Sequence, residues 1–197
     1  MLLHDKLKSF RLILASQSPR RRQLLSDAGI EYELAPRFEC DEVFPDDLPA
    51  AEVAEYLSRL KSEAYPLPLE KNDILLTADT VVVAGGEVLG KPADRADAIA
   101  IIEKLSGKEH EVITGVTLRS AGAIKSFSSH SKVYFRALSR EEIEYYVDTY
   151  RPYDQAGSYG IQEWIGYVGI EGIEGSFYNV MGLPVQRLYC ELDKFIG

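Results

Sequence analysis

The chain alternates short apolar runs with amphipathic stretches, so its hydrophobic period switches between the 2 of a strand and the 3.6 of a helix. Leu12-Ile13-Leu14-Ala15 is continuously apolar and predicts a short buried strand. Leu24, Leu25 and Ala28 then share one helical face. Ser18 is placed to cap that helix, Pro19 fits its first position, and Gly29 suits its end. Tyr32 to Ala35 predicts a second strand. Ala50 to Tyr65 predicts a helix with an apolar stripe of Val53, Leu57, Leu60 and Ala64, and Lys61 falls on that stripe. The run from Ile74 to Val83 is apolar on both faces, as in a central strand, except at Asp79 and Thr80. Gly85-Gly86 turns the chain into Glu87-Val88-Leu89.

Further on, Asp94 with Asp97 opens a helix that presents Ala98, Ile99, Ile102 and Leu105 to the core and stops at Gly107. Glu109 to Arg119 and Ile124 to Arg136 predict two strands paired through residues 120–123. Ser139 and Glu142 form a capping box for a helix to Tyr150, with Ile143, Val147 and Tyr150 inward. Tyr153 to Gln162 and Gly175 to Pro184 are glycine-bounded irregular stretches, and Ile165 to Ile173 reads as an irregular strand between them. Val185 to Phe195 closes the chain as a helix. No repeat, linker or low-complexity segment divides this α/β pattern, so one domain over residues 1–197 is expected.

Four positions break the pattern in ways that point to chemistry. Arg20, Arg21 and Arg22 occupy the first turn of a helix, whose N-terminus is already partly positive. An anion offsets that clash, and free N–H groups at a helix start bind phosphate. Arginine adds a planar fork that grips phosphate oxygens in pairs. Lys61 on an apolar stripe either snorkels to water or meets an anion. Asp79 in a central strand needs a partner, a cation or a site to open into. Gly85 to Lys91 imitates a phosphate-binding loop, but Pro92 stands where the hydroxyl residue belongs. Lys91 is still able to face a phosphate from the strand end.

Composition narrows the partners. Net charge is −9 over 197 residues, which argues against a nucleic-acid backbone or an anionic membrane. The two cysteines, Cys40 and Cys190, have no metal spacing and suit a reducing compartment. No apolar run has membrane-spanning length and the N-terminal residues lack a signal-peptide core, so a soluble cytoplasmic protein is expected.

Six stretches taken in order, LILASQSPRRRQLL, TADTVV, GEVLGKP, LSGKEHEVITGV, YDQAGSYGIQ and GSFYNVMGLP, give the chain a resemblance to the Maf family of nucleoside triphosphate pyrophosphatases. They run from residue 12 to 184. The resemblance implies an elongated mixed sheet flanked by helices, with two lobes around a cleft, similar to inosine triphosphate pyrophosphatase. It implies attack of water at the α-phosphorus of a nucleoside triphosphate, releasing a monophosphate and pyrophosphate. Asp79 matches the family's proton acceptor, and Ser16, Arg21, Glu42, Lys61 and Lys91 match its phosphate and metal site. Arg20, Thr80 and Gln162 match the positions that mark the branch acting on dTTP and UTP. Gln155 departs from the family's usual Lys, and Glu163-Trp164 from a glycine-rich pair.

The residues agree with that implication. Magnesium or manganese is the expected cofactor, with Glu42 and Asp79 as its carboxylates beside phosphate oxygens. A Gln162 amide matches the imide edge of thymine or uracil, although a flipped amide suits cytosine equally well. Arg20 only donates, so it favours a carbonyl over an amino group. A nucleotidyl transferase and a nucleotide-binding regulator of cell division without turnover are the alternative readings. Oligomeric state, a homodimer included, is left open by the sequence.

Overall fold

A computed structural model describes all 197 residues. Seven strands form one mixed sheet: β1 (Arg11–Leu14), β2 (Glu33–Leu34), β3 (Asp73–Ala84), β4 (Glu87–Leu89), β5 (Glu109–Arg119), β6 (Ile124–Phe135) and β7 (Ile170–Glu174). Their order is β2-β1-β3-β5-β6-β7, with β4 paired to β3. β1 lies parallel to both β2 and β3, whereas β4 on β3 and β7 on β6 are antiparallel. The helices are α1 (Leu3–Leu7), α2 (Pro19–Asp27), α3 (Ala50–Ala64), α4 (Arg95–Leu105), α5 (Arg140–Tyr150), α6 (Trp164–Gly169), α7 (Phe177–Met181) and α8 (Val185–Ile196). No helix is long and apolar enough to cross a membrane.

The chain forms two compact units, one of residues 1–79, 114–129 and 182–197, the other of 80–113 and 130–181. In the first unit, Ile13, Ala15, Ala35, Tyr65 and Leu75 make one core cluster. α3 turns Val53, Ala54 and Leu57 inward. α1 meets α8 through the Leu3 amide, which donates to the Tyr189 hydroxyl at 3.3 Å, and through a Lys6–Asp193 ion pair at 2.8 Å. In the second unit, Ile99, Ile102 and Leu105 of α4 and Ile143, Tyr146 and Val147 of α5 share a core with Val82, Phe135, Tyr159 and Ile165.

Local chemistry accounts for the element ends. Ser18 caps α2 by accepting from the Arg21 amide, and Pro19 opens the helix. Asp94 accepts from the Asp97 amide at the start of α4. Ser139 and Glu142 form the full capping box of α5. Gly85 and Gly86 both take positive φ, 59° and 83°, as the tight β3–β4 hairpin turn requires.

Three expectations fail. Residues 165–173 are not one strand: α6 takes the first part and β7 begins at Ile170. The glycines there mimic strand alternation, while buried Ile165 anchors a helical turn. Tyr150 is not inward but 37 % exposed, stacking on buried Tyr146 with ring centroids 5.2 Å apart. On α3, Leu60 and Ala64 are not buried, and the inner face continues through Ser58 and Ser62 instead.

His110, in the second unit, is 3 % exposed and its Nε2 lies 2.7 Å from the Tyr159 hydroxyl. Burial pulls its pKa down to about 4. The folded state therefore prefers neutral imidazole, and the unfolded chain takes up the proton first. The stability that depends on this histidine is full above about pH 6.5 and is lost as pH falls toward 4. Urea unfolding at pH 7 and pH 4.5 will show a larger loss for the native chain than for His110→Gln. The gap is expected to approach about 2–3 kcal/mol; equal losses would show that His110 does not titrate this way.

Candidate active site

The predicted site residues of the first unit converge. β1 ends at Leu14, and the turn Ser16-Gln17-Ser18 leads directly into α2. Arg21 folds back over this turn. Its Nε donates to the Gly182 carbonyl at 2.7 Å and its Nη1 to the Ser16 hydroxyl at 3.3 Å. The Ser16 oxygen also accepts from the Ser18 amide at 3.2 Å. Arg22 donates from Nη2 to the Gln17 carbonyl at 2.8 Å, and Arg20 is half-buried before them. The first turn of α2 carries no acidic residue. The positive helix end is thus reinforced by arginine and not offset by an acid of its own first turn, the kind of end that favours an anion.

Lys61 projects from the last turn of α3. Its ammonium stands 2.5 Å from Asp79 Oδ1 and 3.1 Å from Glu42 Oε2. The Lys61 side chain is 16 % exposed and that of Asp79 12 %, so the pair is largely withdrawn from water. Burial pulls the Arg21 pKa below its ordinary value, Asp79 and Glu42 oppose that pull, and Arg20 adds to it. Arg20, Arg21, Lys61, Glu42 and Asp79 therefore belong to one electrostatic neighbourhood of the first unit.

Two features of the first unit hold α3, and so Lys61, in place. Gly115 in β5 has no side chain because α3 lies against it: a Cβ there would be 2.2 Å from the Ala54 carbonyl carbon and oxygen. Beside that contact runs a chain of hydroxyls. Thr77 donates to the Ser58 carbonyl at 2.7 Å, the Ser58 hydroxyl lies 2.8 Å from Thr117 Oγ1, and Thr117 lies 2.8 Å from Ser126 Oγ. Helix and strands are thereby fixed by short, directional bonds just before Lys61. The sequence carried a faint signal for this: Ser58 and Ser62 lie on the face that Val53 and Leu57 define, where apolar residues were expected.

Two carboxylates converging on one cation also bear on metal binding. No set of three His, Cys, Asp or Glu side chains assembles in the chain, so no all-protein cage exists. Asp79 and Glu42, now sharing the Lys61 ammonium, are the kind of pair that holds magnesium or manganese when phosphate oxygens and water complete the shell. The donor set fits such an ion.

The remaining predicted residues belong to the second unit. Thr80 follows Asp79 in β3 and is half-buried. Lys91 is exposed just beyond β4. Gln162 is half-buried, and its Oε1 is sealed from water without a hydrogen-bond partner. Around Gln162 lies a polar cluster that sequence reasoning did not assemble. The Tyr146 hydroxyl donates to Glu163 Oε2 and accepts from the Gly160 amide at 3.0 Å, while Gln155 Nε2 donates to Glu163 Oε1 at 2.8 Å. Burial, then the bond to Glu163, pushes the Tyr146 pKa well above its ordinary value, keeping that hydroxyl a donor. The two departures noted in the sequence, Gln155 and Glu163, are bonded to each other.

A family model described as Maf-like protein matches residues 11–195. A dTTP/UTP pyrophosphatase of Bacteroides thetaiotaomicron is 51% identical over 188 residues, covering 95% of this chain and 97% of that protein. One from Christiangramia forsetii is 45% identical over 196 residues, covering all of both chains. Among solved structures, a HAM1 protein from Coxiella burnetii matches 94% of this chain and 99% of its own at 15% identity, with a TM-score of 0.45. That likeness is too weak to bear on the site.

Gly115→Ala tests the placement of α3. A methyl forced against the Ala54 backbone has no flexible neighbour to displace. The variant should lose about 1–3 kcal/mol in urea unfolding, as overpacked cores do. Unchanged stability would mean that helix and strand part at no cost.

Proposed function

This chain belongs to the Maf-like family, and we propose that it is a nucleoside triphosphate pyrophosphatase acting on dTTP and UTP. The observation that carries the reading is the Lys61 ammonium held between Asp79 and Glu42, in the neighbourhood of Arg21 at a helix N-terminus without acids. The arrangement has cations for phosphate oxygens and a carboxylate for a proton. Dependence on a divalent ion and a cytoplasmic setting are parts of the same proposal.

In the free protein Asp79 is engaged by Lys61. Triphosphate oxygens compete for that ammonium, and their arrival leaves the carboxylate able to hold a water. The water oxygen bonds to the α-phosphorus, the bond from that phosphorus to the bridging oxygen breaks, and pyrophosphate leaves. Asp79 receives the water proton. Ser16 and Arg21 are suited to orient phosphate oxygens, with Lys91 as a further cation. A divalent ion held by Asp79, Glu42 and phosphate oxygens would supply charge neutralisation. Arg20, Thr80 and Gln162 are the proposed discriminators of the base. Guanidinium donates to the O4 carbonyl that thymine and uracil show and has nothing to accept from an amino group.

The test is a panel of the common nucleoside triphosphates assayed for pyrophosphate release, with magnesium, with manganese and with chelator. dTTP and UTP should be turned over well, CTP and ATP poorly, and chelator should stop turnover. Release of inorganic phosphate alone, or turnover that needs an acceptor other than water, would overturn the reading.

Two substitutions sharpen it. Asp79→Asn keeps the shape and removes the base, so kcat should fall about 10²–10⁴-fold. Lys61→Met keeps the apolar stem and removes the charge, so turnover should fall while the fold persists in circular dichroism. Near-normal turnover in either variant would remove that residue from the mechanism.

A further inference from the structure

Lys91 follows Gly90, and no atom lies within 4 Å of where a Gly90 Cβ would stand. A glycine in open space is a loose mount for the residue after it. In the second unit that freedom is removed from both sides. Leu89 is paired with Val82 across the β3–β4 hairpin. The Gly90 carbonyl accepts from the Gly157 amide at 3.0 Å. That carbonyl shares its peptide plane with the Lys91 amide and Cα, so holding one holds the others. On the far side Pro92 is buried, and a proline keeps the residue before it out of the helical region. The Ala93 amide then donates to Asp97 Oδ2 at 2.9 Å. The backbone is thus held on both sides of Lys91, while its side chain is exposed.

The turn that makes this contact, Ala156–Ser158, is built at a cost. Gly157 takes φ 69° and ψ 10°. A Cβ there would stand 2.6 Å from Val82 Cγ2 and 2.9 Å from Val82 Cβ. Glycine lets the backbone come down onto β3 at this point. Ser158 also takes a positive φ, 60°, which is unfavourable for a residue with a side chain. Such strain persists only where the surroundings over-determine it. Here the Ser158 amide donates to the Gln155 carbonyl at 3.1 Å, and the Gln155 side chain is tied to Glu163. The turn also lies against α4, the helix that opens at Arg95.

We infer that Gly157 is a positioning residue: its amide clamps the peptide plane of Lys91 and so sets the direction in which that lysine offers its ammonium to the phosphate chain. The inference rests on the phosphate-facing role proposed for Lys91. Lysine is a point charge on a flexible stem and lacks the planar fork of arginine, so its aim starts from its backbone. A fixed Cα–Cβ direction leaves less to order when the anion arrives. Losing the clamp weakens the hold on the phosphates while removing no group that touches the nucleotide.

The experiment measures KM and kcat for UTP in the native chain, in Gly157→Ala, in Lys91→Met and in the double variant. A methyl at 157 meets Val82 and a backbone that disfavours it, so the turn lifts and the bond to Gly90 is lost. A lysine that grips phosphate oxygens before and during the reaction alike shows its loss in KM, so Gly157→Ala should raise KM about tenfold and change kcat less than about threefold. Lys91→Met should raise KM at least as much. Because the clamp acts through Lys91, adding Gly157→Ala to Lys91→Met should change KM less than about twofold. A merely structural role would let the two effects multiply, or leave KM native while stability falls, and either result would overturn the inference. Where Gly157→Ala does not fold, Val82→Ala decides: it removes the support beneath Gly157 and should raise KM only while Lys91 is present. Lys91→Met with native KM takes Lys91 out of the phosphate site, and the clamp with it. A native chain that turns over neither UTP nor dTTP refutes the proposed function itself.

Discussion

Lys61 places an ammonium 2.5 Å from Asp79 and 3.1 Å from Glu42, and much of the first unit serves to keep it there. Lys61 and Asp79, both largely withdrawn from water, are tolerable only together, because removing one partner leaves an uncompensated charge. The pair therefore needs a rigid mounting. β3 supplies Asp79 from a central position between β1 and β5. α3 supplies Lys61, pressed against Gly115 so closely that no Cβ fits between them. The hydroxyl chain from Thr77 through Ser58 and Thr117 to Ser126 gives that packing a register that apolar contact alone lacks.

The Arg21 anchor follows the same logic by other means. A guanidinium at a helix N-terminus is repelled by the helix dipole and is costly to bury. Here its Nε is tied to the Gly182 carbonyl and its Nη1 to Ser16, which fixes the fork. In the second unit Glu163 takes hydrogen bonds from both the Tyr146 hydroxyl and the Gln155 amide.

Much of this was legible in the sequence because the signals were local. The apolar run before Ser16, the Ser18 cap with Pro19, the Ser139–Glu142 box and the Gly85-Gly86 turn each act within a few residues, and each fixes the observed element. Asp79 and Lys61 stood out because charge interrupts an apolar pattern. What remained illegible depends on distant pairs. Nothing local ties Gly182 to Arg21, Gly115 to Ala54, or Tyr146 to Glu163. The helix α6 was read as strand for a related reason: its glycines imitate a period of two, and the burial of Ile165 that decides the matter is a tertiary fact.

The central claim is that water attacks the α-phosphorus with Asp79 as the acceptor of its proton. Turnover of UTP in ¹⁸O-labelled water, with both products analysed by mass spectrometry, tests it most directly. The account predicts one labelled oxygen in UMP and none in pyrophosphate. Label found in pyrophosphate, with UMP unlabelled, would place the attack at the β-phosphorus and contradict it.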